Sequence, residues 1–265
     1  MNSSANGNQK TVVLIHGAWM TPTSWNPFKN YFEAHGYNVL VPTWPYLDRP
    51  IEDIRNNPGD EFGSLSLQKI ADHYEEIIRQ LPEAPLLIGH SMGGLVTQIL
   101  LDRGVGAAGV VIDSAPIGGI IADFRSIASV LPILLRSGGW KKPFVLTKEA
   151  FDENFANTAP KDQRDADYVK EVIPAPGRIF FEAALSIGTF VDAKNRKQPL
   201  LVIAGEKDRT TAPALVRSIF KKQSKAKART DFLSFDGVSH YLVAEPGWEK
   251  VAEASLNWAN NVHHA

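Results

Sequence analysis

Short apolar runs recur along the chain and alternate with segments whose apolar residues fall at helical spacing. Val12-Val-Leu-Ile15 is continuous and rich in β-branched residues, the pattern of a strand buried on both faces. Leu86-Leu-Ile88, Gly109-Val-Val-Ile112 and Leu200-Leu-Val-Ile-Ala204 read the same way. Val39-Leu-Val41 and Thr230-Asp-Phe-Leu-Ser-Phe235 supply two further strands. Between the first two strands, Trp25, Phe28 and Phe32 mark one helix face, which Thr23 or Ser24 can cap and Gly36 can close in the left-handed conformation. Leu67, Ile70, Tyr74, Ile77, Ile78 and Leu81 form the apolar stripe of a longer helix, ended by Pro82 and Pro85. An apolar helix follows through Leu101, and a last helix spans about 248–261.

Strands that alternate with helices imply parallel β-α units, because a parallel neighbour needs a crossover long enough for a helix. The expected class is therefore α/β, a mostly parallel sheet covered by helices on both faces. Residues 116–192 break the alternation. They carry helical patterns at 147–157, 160–173 and 180–190 and no central strand. We expect a helical cap at 116–192, inserted into a core formed by 1–115 and 193–265. The plainer alternative is a set of long crossovers lying against the core.

Composition narrows the function. The 265 residues include 28 basic and 29 acidic side chains, for a net charge of −1, and 44% are hydrophobic. That balance speaks against nucleic acid or an anionic surface as a partner. The basic stretch 221–229 has no aromatics and reads as a solvated helix end and loop. With no cysteine, disulfides, thiol catalysis and cysteine-ligated metals are excluded. Residues 1–10 are polar, expected to be loose, and lack the pattern of a secretory signal. No apolar run approaches the roughly 20 residues of a membrane span, so a cytoplasmic location is expected. Neither a dinucleotide fingerprint, a phosphate loop nor a metal-ligand cluster is present, so no cofactor and no metal are expected. No pattern in the chain specifies an oligomeric state.

One motif carries chemistry. Gly89-His90-Ser91-Met92-Gly93 matches G-x-S-x-G between a buried strand and a helix. A strand-to-helix turn this sharp tolerates no side chains two residues to either side. It lifts the Ser91 hydroxyl over the carboxyl edge of the sheet, at a helix N-terminus that favours developing negative charge. A serine hydroxyl is a weak nucleophile and needs a base. Of seven histidines, His16 lies at a strand end, His35 and His73 belong to helices, His90 is expected to point away, and His263 and His264 are terminal. His240, in Gly237-Val-Ser-His240-Tyr241 between the last strand and the last helix, is the candidate base. The orienting acid should precede it. Asp208 follows the strand at 200–204 and is favoured over Asp113, at an earlier strand end, and over Glu206. In His16-Gly17-Ala18-Trp19, the amide of Ala18, or that of Trp19, would pair with the amide of Met92 to bind an oxyanion.

His16-Gly17, the Gly89–Gly93 motif, Gly205-Glu-Lys-Asp208 and Ser239-His240 stand in the order found in capped α/β-hydrolases, and from about residue 11 to 261 the chain resembles the bacterial esterase, lipase and lactonase side of that superfamily. The resemblance implies a serine hydrolase acting on a small-molecule carboxylic ester or lactone through an acyl-enzyme on Ser91. Many members carry a Gly-x-Gly-x-Ser stretch after the strand at 39–41. This chain has Pro42-Thr-Trp-Pro-Tyr-Leu-Asp-Arg-Pro50 instead, so no substrate transfers from them. Trp19, and less so Trp44 and Tyr46, are candidates to line the substrate pocket; the alternative is that they pack a cap onto the core. Two other readings stay open. One is a lyase, C–C hydrolase or cofactor-free haloperoxidase on the same fold, and the other a non-enzymatic ligand receptor.

Overall fold

The computed structural model describes residues 10–121 and 124–263. The polar N-terminal stretch expected to be loose lies, up to residue 9, outside the described residues, as does His264. Strand β1 (Thr11–Ile15) enters the interior at once, with residues 12 to 15 fully buried. Helix α1 (Asn26–Ala34) follows a short 3₁₀ turn and ends at Gly36, whose φ of +84° is the left-handed conformation its position called for. After β2 (Asn38–Leu40) come two short helices, α2 (Ile51–Asn56) and α3 (Asp60–Gly63), and then the long α4 (Leu67–Arg79). The Ser66 side chain caps α4 by accepting the Lys69 amide at 3.2 Å. Next are β3 (Leu86–His90), α5 (Met92–Asp102) and β4 (Ala108–Ile112).

The chain returns to the main sheet only at β7 (Leu200–Gly205), followed by α10 (Pro213–Gln223), β8 (Thr230–Phe235) and α11 (Trp248–His263). In between lie α6 (Phe124–Leu134), β5 (Pro143–Phe144), α7 (Lys148–Ala150), α8 (Lys161–Glu171), β6 (Ala175–Pro176) and α9 (Gly177–Ala184). β5 and β6 form a separate two-stranded antiparallel ribbon, so this stretch adds no strand to the main sheet. Its helices differ in detail from the periodicity. The helix expected at 147–157 is α7 continued by a single π turn, Phe151–Phe155, which turns both Phe151 and Phe155 inward. The helix expected at 180–190 starts earlier and stops at Ala184, because Ser186 and Gly188 take positive φ.

The main sheet has six strands in the order β2-β1-β3-β4-β7-β8, and every neighbouring pair is parallel. Strand alternation divides its side chains between two cores. Val12, Leu14, Ile88, Val110 and Ile203 pack with Phe28 and Phe32 of α1 and Val251 and Leu256 of α11. Val13, Ile15, Leu87, Val111 and Val202 face the other way, with α4, α5 and α10. Parallel register then brings the carboxyl ends of β1, β3, β4 and β7 to one edge, where His16, Ser91, Asp113 and Asp208 begin the loops. This is the edge at which open α/β sheets place their ligands.

Two glycines let strand and helix approach that closely. A Cβ on Gly93 would lie 2.1 Å from the Ile15 carbonyl oxygen and 2.6 Å from that of His16, while one on Gly89 would lie 2.2 Å from the Gly93 carbonyl oxygen. Backbone cannot yield as a flexible side chain can. Gly93→Ala is therefore expected to cost about 1–3 kcal/mol, the usual penalty for overpacking. Urea unfolding should show a lower midpoint; an unchanged midpoint would contradict this account of the turn.

Candidate active site

Ser91 sits at the turn between β3 and α5 with φ 54° and ψ −121°. A side-chain-bearing residue held there is strained by about 1–3 kcal/mol, and its surroundings hold it. Its amide donates to the Ile112 carbonyl at 3.0 Å, and its own carbonyl accepts the amides of Gly94, Leu95 and Ala115 at 3.0, 3.2 and 3.0 Å. Met92 is the first residue of α5, so its amide has no acceptor within the helix. The loop leaving β1 lies directly on the serine: a Cβ on Gly17 would be 2.9 Å from Ser91 Cβ. Ala18 follows directly in this loop.

Asp208 and His240 are in contact. His240 Nδ1 is 2.7 Å from Asp208 Oδ2, with both side chains completely buried. The hydrogen bond assigns the Nδ1–H tautomer, which leaves Nε2 as a lone-pair acceptor. Nε2 is buried and has no hydrogen-bond partner among the described residues, so the Ser91 hydroxyl is not bonded to it in this structure. Catalytic hydrogen bonds of this kind are often open in an unliganded site and close with substrate. Asp208 is anchored from behind. Its Oδ1 accepts the amides of Thr210 and Thr211 at 2.6 and 2.9 Å, and the Thr211 hydroxyl lies 2.7 Å from Oδ2.

The other candidate acids separate clearly. Glu206 pairs with Arg217 at 2.5 Å. Asp113 is fully buried beside the pair, with its Oδ1 accepting the Gly205 amide at 2.8 Å. Burial foremost, and then the neighbouring Asp208, push its carboxyl well above the usual carboxylate range. Asp113, Asp208 and His240 also form a group whose ligand atoms lie within 4.8 Å of one another. A cation there would compete for Nδ1 and Oδ2, which their mutual hydrogen bond already engages.

The loop that carries His240 is tied down by residues the sequence reading did not single out. His90, expected to point away, instead lies alongside the candidate base: its ring is 4.7 Å from that of His240, and its Nε2 donates to the His240 carbonyl at 2.8 Å. Glu245, buried, accepts both the amide and the hydroxyl of Ser239 and the Thr158 hydroxyl, the last at 2.7 Å. Burial raises its carboxyl above the ordinary range. One signal was readable for Thr211, since an Asp followed closely by Thr is a common way for a carboxylate to collect successive backbone amides. His90 had none, because its partner lies 150 positions away, and Glu245 is six positions from Ser239 but 87 from Thr158, with no turn motif to mark either contact.

The stretch between β4 and β7 packs against these residues. The Phe155 ring meets the His240 ring edge-on at 4.7 Å. Trp19 stacks on Phe180 at 4.7 Å, and its Nε1 donates to the Phe144 carbonyl at 3.1 Å. Trp19 has φ 66°, and its carbonyl accepts the Ile173 amide at 2.8 Å. Glu171 of α8 accepts both hydroxyls of Thr21 and Thr23. Trp44 is buried and stacks on His16, whereas Tyr46 is 44% exposed and lines an outer groove with Lys69, Asp72 and His73.

A parallel sheet covered on both faces, a strained strand-to-helix serine turn and a buried Asp–His pair at the same edge are together the frame of an α/β-hydrolase. The chain belongs to the alpha/beta hydrolase family, whose model matches residues 12–254. No curated protein sequence matches it. Among solved structures it is similar to polyneuridine aldehyde esterase, with 14% identity, 95% of this chain and 100% of that chain covered, and a TM-score of 0.70. It is also similar to a monoacylglycerol lipase from Paleococcus ferrophilus, with 19% identity, coverage of 94% and 93%, and a TM-score of 0.67. An esterase from Thermogutta terrifontis matches with 18% identity, coverage of 97% and 92%, and a TM-score of 0.65. At such identities the likeness is one of fold. Among the described residues, no helix is long and apolar enough to cross a membrane.

His16 supplies a pH prediction. Burial lowers its pKa from 6.5 to about 4, against a smaller opposing effect of its hydrogen bond to the Gly17 carbonyl. Between those values the unfolded chain binds the proton that the folded chain refuses, so stability rises with pH and is lost as pH falls. By pH 5 the loss from this group should be on the order of 2 kcal/mol. Urea unfolding at pH 7 and pH 5 should show it, and His16→Gln should flatten the difference even if it lowers both midpoints.

Proposed function

We propose that this hydrolase-family protein is a serine esterase or lactonase that works through an acyl-enzyme on Ser91. The observation that carries the reading is the buried His240–Asp208 hydrogen bond at 2.7 Å, which leaves Nε2 free on the sheet edge where Ser91 is raised. Ser91 attacks the carbonyl carbon of the ester while Nε2 takes the hydroxyl proton. Asp208 keeps the proton on Nδ1 and stabilises the imidazolium that forms. The negative charge on the former carbonyl oxygen is met by the amides of Met92 and Ala18. Collapse of the tetrahedral intermediate breaks the bond to the alcohol, which leaves with the proton from Nε2. Water then attacks the acyl-serine, giving its proton to Nε2, and the acid is released as Ser91 regains its own. Every proton moved is accounted for by Ser91, His240 and water, and the cycle calls on no cofactor or metal.

Residues 116–192 act in this reading as a cap over the site, and Trp19 with Phe155 as an apolar wall for the acyl or alcohol group. Two support its role in substrate choice: Phe155 lies against His240, and Trp19 belongs to the loop that carries the Ala18 amide. The activities named for the three structures above, esterase and lipase, are of the same class, whereas another similar structure is named a putative non-heme bromoperoxidase.

The test is turnover of a series of p-nitrophenyl esters from acetate to palmitate, together with several lactones. Ser91→Ala should lower kcat by about 10⁴–10⁶, and Asp208→Asn by about 10⁴ because the amide favours the wrong tautomer of His240. A folded Ser91→Ala protein with near-normal turnover would end the proposal. Phe155→Ala should change KM and the preferred acyl length by more than it changes kcat on the shortest ester. A chain-length profile identical to that of the unmodified protein would remove Phe155 from the pocket wall. Circular dichroism and unfolding midpoints check that each variant is folded.

A further inference from the structure

Asp113 sits beside the catalytic pair and takes no step in the mechanism above. It follows β4 with φ 42°, a left-handed conformation that Asp tolerates better than most residues, and it is completely inaccessible. Its two oxygens differ. Oδ1 accepts the Gly205 amide at 2.8 Å, whereas Oδ2 is buried with no hydrogen-bond partner among the described residues. Oδ2 lies in the narrow space that Gly205 leaves open, since a Cβ on Gly205 would be 3.0 Å from it. The surrounding charge is of the wrong sign for an ionised group. The titratable groups that face it are the carboxylates of Asp208 and Glu245 and the imidazole of His240, with His90 behind that ring. Among the described residues, no Lys or Arg forms an ion pair with Asp113 or Asp208.

We propose that Asp113 is a neutral carboxylic acid whose Oδ2–H donates to the Asp208 carboxylate, so that His240 is oriented by a pair of carboxyl groups sharing one negative charge. This rests on Asp208 being the group that orients His240. An isolated buried carboxylate facing a second one is more costly than a carboxylic acid that donates to it. Thr211 leaves a place for that donor. Its hydroxyl has one proton and two acceptors in reach, the Asp113 carbonyl at 2.9 Å and Asp208 Oδ2 at 2.7 Å. Given to the Asp113 carbonyl, the Thr211 proton frees an Oδ2 lone pair on Asp208 for the proton of Asp113. No bond to carbon changes; the proton stays on Asp113 throughout the cycle. Burial and the two neighbouring carboxylates favour the protonated form and outweigh the opposing Gly205 hydrogen bond. Asp113 is thus a positioning residue. It holds Asp208 in place by donation and keeps the charge next to His240 at one unit rather than two.

The pair is tested with Asp113→Asn, which keeps a donor, and Asp113→Ala, which removes it, both without adding charge. Asp113→Ala should lower kcat/KM for a p-nitrophenyl ester by on the order of 10- to 100-fold, and Asp113→Asn should recover most of that loss. In Asp113→Asn the acid limb of kcat/KM should stay where it is, because no ionised group has been removed. An infrared band of a protonated carboxylic acid, present in the unmodified protein at pH 7, should disappear in Asp113→Asn. The sign of the stability effect is also set. A carboxyl raised on folding is protonated in the folded chain while the unfolded chain has already lost its proton, so the unmodified protein loses stability as pH rises above the ordinary carboxylate range. The unfolding midpoint of Asp113→Asn relative to the unmodified protein should therefore rise as pH is raised from that range towards neutrality.

An acid limb displaced by about one pH unit in Asp113→Asn, or an infrared spectrum that loses no carboxylic-acid band, would overturn the proposal. If Asp113→Asn does not fold, Asp113→Ser supplies the same spectral and pH comparisons. Asp208→Asn, made in parallel, separates this from the catalytic reading. Full activity in Asp208→Asn would remove Asp208 as the orienting group, whereas the infrared band decides the protonation of Asp113 by itself.

Discussion

The site depends on backbone approaching backbone at the carboxyl edge of the sheet. Gly93 lies against the carbonyls that end β1, Gly89 against Gly93, and Gly17 against Ser91. Each contact is closer than any side chain permits. Together they fix the distance from the end of β1 to the start of α5, and so the relation between the amides of the 16–19 loop and that of Met92. Electrostatic stabilisation of a developing oxyanion depends on donors that need not move when the charge appears. A glycine framework supplies that rigidity without using a single side chain at the reacting edge. The positive φ of Ser91 is held by the same framework, through hydrogen bonds at both its amide and its carbonyl.

The segment between β4 and β7 is wired to this framework rather than resting on it. Glu171 binds Thr21 and Thr23, Val172 bridges to Met20, and the Ile173 amide reaches the Trp19 carbonyl. All of these fall within a few residues of the Gly17-Ala18 turn. On the opposite side, Thr158 shares Glu245 with Ser239, the residue before His240. The segment therefore grips both the 16–19 loop and the loop that carries His240. A displacement of this segment would be felt at two loops at once, through these hydrogen bonds.

Much of this was legible in the sequence, for physical reasons. Fully buried parallel strands are continuous apolar runs, and Val12-Val-Leu-Ile15 or Leu200-Leu-Val-Ile-Ala204 admit few other readings. The alternation that follows fixes a class, and the family match confirms it. The juxtaposition of Asp208 with His240 was anticipated from chain order, since both follow strands that end on one edge; their contact at 2.7 Å is what the structure adds. What pattern does not encode is long-range polar pairing. His90 donating to the His240 carbonyl, and Glu171 reaching Thr21, join residues about 150 positions apart. Helix periodicity also missed the π turn at Phe151–Phe155, because its i→i+5 geometry rotates side chains away from the 3.6-residue repeat.

Buried acids are the unusual feature of this interior. Asp113, Asp208 and Glu245 lie close together beneath the site, and none is neutralised by Lys or Arg among the described residues. In most cores such a group would be a defect. Here each carboxyl is satisfied differently: Asp208 by two backbone amides and an imidazole, with the Thr211 hydroxyl also in reach, Glu245 by an amide and two hydroxyls, Asp113 by a single amide. Of the two carboxyls raised by burial, Asp113, with fewer donors than Glu245, is the one raised further. Asp208, with the most donors, is the one bonded to His240, and Asp113, with the fewest, is the one whose charged form burial and its neighbours oppose. Of the two adjacent aspartates, the one with more hydrogen-bond donors is the one bonded to His240.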